Sequence, residues 1–387
     1  MHTPRVYSIV LSMVFTAFAG RTASAQLVVS ANDGKMRLVD GVNSPIPNAP
    51  ADTVTVIDLR GAQPKIVGEV QAPASVIGPP QSVAIAPDES IALVTASTKL
   101  DPGDPAKTAY DDKVTVIDLQ SSPPKVIATL QAGTGASGVS INRAGTLALV
   151  ANRYEGSISI FTIAGKTVTP AGKVSLNAPE SQPSGVAFAR DGRMALVTRN
   201  NDSVISLLTI DGAKVEYAKR DLGANLKPYG IEVAPAGDVA VVASIGVGAS
   251  GGADLVSVID LTQTPPRVVD HASVGPLAEG IAISPDGRYV AVTIINGTNS
   301  AKASPLFKDF GLVRVLGLSN KKLTPIAEAK TGRWCQGIAW DASSRRVLVQ
   351  CMVEREIQTF TFDGKTLTPG AAIKVNGGPA GIRTAQK

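Results

Sequence analysis

One short pattern, written six times, fixes most of what this chain can become. QSVAIAPDESIALVT (81–95), SGVSINRAGTLALVA (137–151) and SGVAFARDGRMALVT (184–198) align without gaps. So do YGIEVAPAGDVAVVA (229–243), EGIAISPDGRYVAVT (279–293) and QGIAWDASSRRVLVQ (336–350). Their second residues, Ser82, Gly138, Gly185, Gly230, Gly280 and Gly337, stand 45 to 57 residues apart. Repetition at that period marks a solenoid, a propeller or an array. Each copy reads as a hairpin. Two apolar runs flank Pro-Asp, Asp-Gly or Ala-Gly, which suits a type I turn followed by a residue at positive φ.

A third β-rich segment follows each hairpin, as in VTVIDL at 54–59 and 114–119, SISIFTI at 157–163, SVISLLTI at 203–210 and VSVIDL at 256–261. A shorter fourth comes next, as in PKIVGEV (64–70), PKVIATL (124–130) and PRVVDHA (266–272). Strands two and three are apolar at consecutive positions, so both faces of each sheet are buried. Small residues in strand one (Ala84, Ala86, Ala187, Ala189, Ala282) suit a sheet edge crowded against an axis. The expected fold is all-β, a seven-bladed β-propeller of four-stranded antiparallel blades. Its closure is written at the termini. Leu27-Val28-Val29-Ser30 matches a second strand, and Pro379-Ala380-Gly381-Ile382 supplies the missing first one, so the C-terminal strand completes blade one.

The hairpin ends LVAN (149–152) and LVTRN (196–200), with SPDGRYVAVT (284–293) and the VTVIDL strands, resemble the YVTN family of β-propeller repeats. The resemblance covers the chain from residue 26 onward. That wider group includes surface-layer and periplasmic binding propellers, lactonase-like hydrolases and relatives in electron-transfer enzymes. Only a site can choose among them.

Residues 1–25 read as a secretory signal peptide: Arg5, an apolar run from Val6 to Ala19, then Ala23-Ser24-Ala25 before a mature start at Gln26. Residues 26–387 are then a single propeller domain, periplasmic or secreted. The full chain carries a net charge of +5. Lys and Arg are scattered singly, so nucleic acid is not an expected partner. No apolar run reaches the ~18–20 residues of a membrane-spanning helix. A monomer is expected.

Insertions gather on one rim, between strands two and three of blade one (32–52), blade two (96–112), blade five (245–254) and blade six (296–311). Such a loop-rich face is the expected recognition surface for a protein or a small molecule. Residues just before the strand-one glycines turn toward the channel mouth: Gln81, Ser137, Ser184, Tyr229, Glu279, Gln336 and Ala380. Asn152, Arg153, Arg199 and Asn200 stand at second-strand ends, and Arg333 and Trp334 approach blade seven. This polar ring with two aromatics is a candidate ligand site.

The alternative is a lactonase-like hydrolase acting in the channel, and a surface or nucleic-acid-binding module is a third class. The lactonase resemblance implies histidine beside the strand-one proline, but those positions read Gln81, Ser184, Tyr229 and Ala380. His271 lies in an outer strand. Acid–base chemistry then falls to Glu279, with Arg199 as electrophile. Gly248, Ser250 and Gly251 lack the spacing of a GxSxG nucleophile elbow.

No metal centre and no cofactor are expected. One histidine after residue 25 and two cysteines do not make an ordinary zinc or copper site. Asp101, Asp104, Asp111 and Asp112 fit no calcium-loop spacing, and no phosphate loop opens a helix. Cys335 and Cys351 fall opposite one another across the blade-seven hairpin. The expected pairing is a cross-strand disulfide, with a reducible dithiol as its alternative.

Overall fold

A computed structural model describes residues 2, 27–247 and 251–386. Apart from His2, the proposed leader and its cleavage site lie outside these residues. Among them the chain forms seven sheets arranged as blades of an all-β propeller, and the one helical turn is the 3-10 segment Pro179–Ser181. No helix is long and apolar enough to cross a membrane.

Blade one is built from both ends of the chain, in the order Gly378–Thr384, Leu27–Asp33, Thr53–Asp58, Lys65–Gln71. Ser30 pairs with Ile382 and Val28 with Thr384. This clasp removes an open inner edge, the usual liability of an exposed strand. Blades two to six each continue the same four-strand meander. In blade seven the outer position is shared by two short strands, Leu367–Pro369 and Ile373–Lys374. The inner three strands of most blades are buried almost throughout, as their runs of apolar residues require, while the outer strands alternate with solvent.

Two local rules explain why the repeat looks as it does. The strand one-to-two turn needs a left-handed residue, and Gly145, Gly192, Gly237 and Gly287 supply it at φ 69°, 69°, 80° and 73°. Glu89 and Ser344 take the same conformation in blades two and seven. The strand-one glycine serves a different need. A Cβ on Gly185 would stand 2.6 Å from the Tyr229 carbonyl, one on Gly230 2.9 Å from that of Glu279, and one on Gly280 would collide with that of Gln336. Neighbouring inner strands approach too closely at the axis for any side chain.

A hydroxyl from strand two often completes that contact. Thr198 donates to the Tyr229 carbonyl (2.8 Å), Thr293 to the Gln336 carbonyl (2.8 Å), and Thr95 to the Ser137 carbonyl. In blade seven Gln350 donates to Gly381 (3.0 Å) and so fastens the last blade to the C-terminal strand. The threonine of the repeat is therefore a blade-to-blade fastener.

Cys335 and Cys351 are register partners in the inner hairpin of blade seven and form a disulfide with no exposed surface. The expected loop at 96–112 is replaced by a continuation of the sheet: Ile91–Leu100 and Thr108–Asp118 run on past the blade as a paired ribbon. Its acids are engaged locally. Asp104 pairs with Lys107 (3.0 Å), Asp112 with Lys113 (2.7 Å), and Asp101 accepts the Gly103 N–H (2.8 Å).

Candidate functional site at the channel mouth

The mouth is covered on one side. Met36, Val76, Leu277, Ile295, Trp334, Met352 and Ala380 form an apolar cluster, with Leu38, Ile77, Ile245 and Val353 packed on it. None of these comes from blades three or four. Blade one contributes through a small ribbon, Met36–Val39 paired with Val42–Pro45. The ribbon is anchored by Lys35, which sits 2.9 Å from Asp52 and 3.3 Å from Asp33. Asp33 in turn accepts the N–H groups of Met36 and Val76. At the ribbon tip, Asp40 accepts the Lys302 N–H of the blade-six loop (2.8 Å). Trp334, expected at an open mouth, is instead part of this cap, and Arg333 is held by Glu354 (3.3 Å).

Sequence position explains the asymmetry. The position two residues past each aligned repeat is Ser97, Arg153 and Asn200 in blades two to four, but Ile245, Ile295 and Met352 in blades five to seven, where it joins the apolar cap. One half of the mouth is polar and the other apolar. This split was readable from the aligned repeats.

The same alignment separates Arg153 from Arg199. Arg199 occupies the Asn152 position, which faces the outer strands. Asn152 donates to Ser157 (2.8 Å) and Ser159 (3.0 Å), and Arg199 contacts Asp202, Asp221 (3.1 Å) and Ser206 (3.3 Å). Both are internal braces of their blades. The cation whose charge bears on Glu279 is Arg153. A two-residue period along a strand sends neighbours to opposite faces, and that signal distinguishes the two arginines.

Beneath the cap lie Gln81, Ser137, Ser184, Tyr229, Glu279 and Gln336, all buried. Gln81 spans the channel: its Nε2 donates to the Ile231 carbonyl (2.8 Å) and its Oε1 accepts the Ile231 N–H (3.0 Å). Arg153 donates to Ser184 and to Gln182 (2.7 Å), and its guanidinium lies 5.5 Å from the Tyr229 ring centre. Tyr154 continues this line outward and stacks on exposed Tyr110 at 3.9 Å. Burial holds the Tyr229 phenol protonated well above its ordinary range, against the opposing charge of Arg153.

Glu279 is the chemically distinctive group. Burial pushes its carboxyl up to about 7, against a hydrogen bond from Gln336 and the charge of Arg153. Its Oε2 has no hydrogen-bond partner. Neither do Ser137 Oγ, Arg153 Nε, Asn200 Nδ2 and Gln336 Oε1, all mouth positions. An unsatisfied buried polar group costs about 1–3 kcal/mol, which makes this set the candidate contact surface for a polar ligand.

Other sequence candidates fall outside it. His271 is exposed on an outer strand and shares a hydrogen bond with Ser257 (2.9 Å). Lower in the channel, Glu232 is fully engaged by Arg383 (2.8 Å) and Gln386 (2.9 Å).

A family model described as "Lactonase, 7-bladed beta-propeller" matches residues 107–224. No curated relative matches the chain by sequence. Among solved structures, the Pseudomonas aeruginosa periplasmic gluconolactonase superposes with a TM-score of 0.66 at 15% identity, covering 94% of this chain and 99% of that one. A candidate 6-phosphogluconolactonase from Bacteroides uniformis gives 0.70 at 13% identity over 93% and 99%. The hydrazine synthase of Kuenenia stuttgartiensis gives 0.63 at 16% identity over 82% and 92%. These likenesses carry the fold. At such identities one scaffold serves unrelated chemistries.

Proposed function

We propose that this protein is an exported, lactonase-like hydrolase of the YVTN-repeat type that opens a polar lactone at the channel mouth. The observation that carries this reading is Glu279, a buried carboxyl raised to about 7 with one oxygen unengaged, under the charge of Arg153. A general base works best with a value near the operating pH. In the proposed reaction the Glu279 carboxylate takes a proton from water as the water oxygen attacks the lactone carbonyl carbon. The oxyanion forms beside the Arg153 guanidinium. On collapse the ring C–O bond breaks and the proton on Glu279 passes to the departing alkoxide, leaving a hydroxy acid. The polar half of the mouth, formed by Ser97, Arg153 and Asn200, is the side from which substrate reaches the base. Export is supported by the N-terminal leader pattern and the buried disulfide.

The test is turnover of an aldonolactone panel, corrected for spontaneous opening. Glu279→Gln lowers kcat/KM by roughly 10²–10⁴-fold, and wild-type kcat/KM rises with pH to a plateau through a value near 7. A second reading, a binding module using the same mouth, is favoured by the apolar cap and by the Gln81 bar across the channel. Wild-type protein that binds a polyol or lactone but opens none would leave that second reading standing and sink the first.

A further inference from the structure

On the face opposite the mouth, blades three and four enclose a cleft of about 490 Å³. Its walls are the strand one-to-two turns carrying Arg143, Arg190 and Arg193, and its floor includes Leu147, Thr162 and Ile210. Two of the arginines come from different blades yet are pinned to one neighbouring turn. Arg143 Nη2 donates to the Pro235 carbonyl (2.9 Å), and Arg190 Nη1 donates to the Ala236 carbonyl (3.1 Å). The stem of Arg190 also packs against Gly237, where a Cβ would strike it.

Two guanidiniums are thereby held side by side. Among the described residues, none of Arg143, Arg190 and Arg193 forms an ion pair with a carboxylate. Two acids line the cleft. Asp191 accepts the Arg193 N–H (3.0 Å), and Asp211 lies at the far wall. The ionised form of Arg143 is disfavoured by burial and then by the charge of Arg190, with no carboxylate offsetting either. Each guanidinium presents about five N–H donors in a rigid fork, and each spends one on the blade-five turn. The remainder are pre-oriented at little entropic cost, the arrangement suited to bidentate capture of an oxyanion.

We propose that this cleft binds a small molecule bearing a phosphate or carboxylate group, its oxyanion clamped between Arg143 and Arg190 and its body resting over Thr162 and Ile210. The volume lies within the range of small-molecule sites, about 300–1,000 Å³. The site is separate from the channel mouth and independent of any hydrolase activity there.

Calorimetric titration of the full-length mature protein with pyrophosphate, citrate and inorganic phosphate at low ionic strength tests this. The expected result is saturable one-to-one binding of pyrophosphate or citrate, weakened at least tenfold in Arg143→Gln and in Arg190→Gln. Binding also weakens as salt is raised. Whichever of the two polyanions binds tighter identifies phosphate or carboxylate as the recognised group. Arg143→Lys, which keeps the charge, retains part of the affinity and separates ionic recognition from damage to the turn. Arg345→Gln, on an exposed blade-seven turn, leaves it unchanged. No saturable heat with any of the three anions, or affinities within twofold of wild type in both glutamine variants, would overturn the proposal.

Discussion

Two glutamates reach into the same channel from strand one of adjacent blades, and each is 7% exposed. Glu232, in the lower half, has both oxygens engaged, one by Arg383 and one by Gln386. Glu279, in the upper half, has one oxygen engaged and one free, and its carboxyl is pushed up to about 7. Burial is equal, so burial alone does not make a reactive group. The completeness of the hydrogen-bonded surroundings does. The lower half is a clasp, in which the C-terminal segment that closes blade one also supplies the counter-ion for blade five. The upper half leaves Glu279 Oε2 and Gln336 Oε1 without a hydrogen-bond partner.

The sharpest way to break this contrast is to unpair the lower glutamate. Arg383→Ala strands Glu232 in the channel and costs about 4 kcal/mol, read as a fall in the denaturant midpoint at constant slope. A loss under 1 kcal/mol would mean that the lower half is no clasp.

Unpairing has already happened at Glu279, so removing its charge acts in the opposite direction. The folded carboxyl holds its proton up to about pH 7, whereas an unfolded glutamate releases it near its ordinary value of 4.5. Below that value both states are protonated and nothing is lost. As pH rises toward 7 the unfolded chain alone ionises, and folding is progressively destabilised. Above 7 the penalty is complete, at about 3 kcal/mol. Glu279→Gln therefore matches wild type near pH 4 and is the more stable protein at pH 8, which paired melts at the two pH values read directly.

The contrast also depends on the inner strands being locked at the axis. Gly280→Ala forces a methyl into the Gln336 carbonyl and costs about 2 kcal/mol. Thr293→Val removes the hydroxyl that donates to that same carbonyl and costs about 1 kcal/mol. Because both changes displace Gln336, the hydrogen-bond partner of Glu279, a lactone assay on each separates loss of stability from loss of the site.

The ring, its hairpins, its closure by Gly378–Thr384 and the Cys335–Cys351 bridge were legible in the sequence because each is a local or periodic property. Repeat spacing sets the blades, turn residues set the hairpins, and hairpin register sets the disulfide. The mouth was only partly legible. Glu279 and Gln336 follow from their place before the strand-one glycine. The cap follows only in part: Ile245, Ile295, Met352 and Ala380 hold aligned positions of the repeat, whereas the 36–45 ribbon, the 76–77 segment and the approach to blade seven come from connections that share no repeat. Arg199 was the expected partner of Glu279 because it ends a strand near the mouth. The alternation of side chains assigns that place to Arg153 and sends Arg199 to Asp202 and Asp221.

The chemistry of the mouth turns on the state of a single carboxyl. Following the side-chain carboxyl carbon of Glu279 by NMR in isotope-labelled protein, with Glu279→Gln used to assign the signal, measures it directly. The structure predicts a transition centred near pH 7; a transition near 4.5, like that of a solvated glutamate, would contradict it.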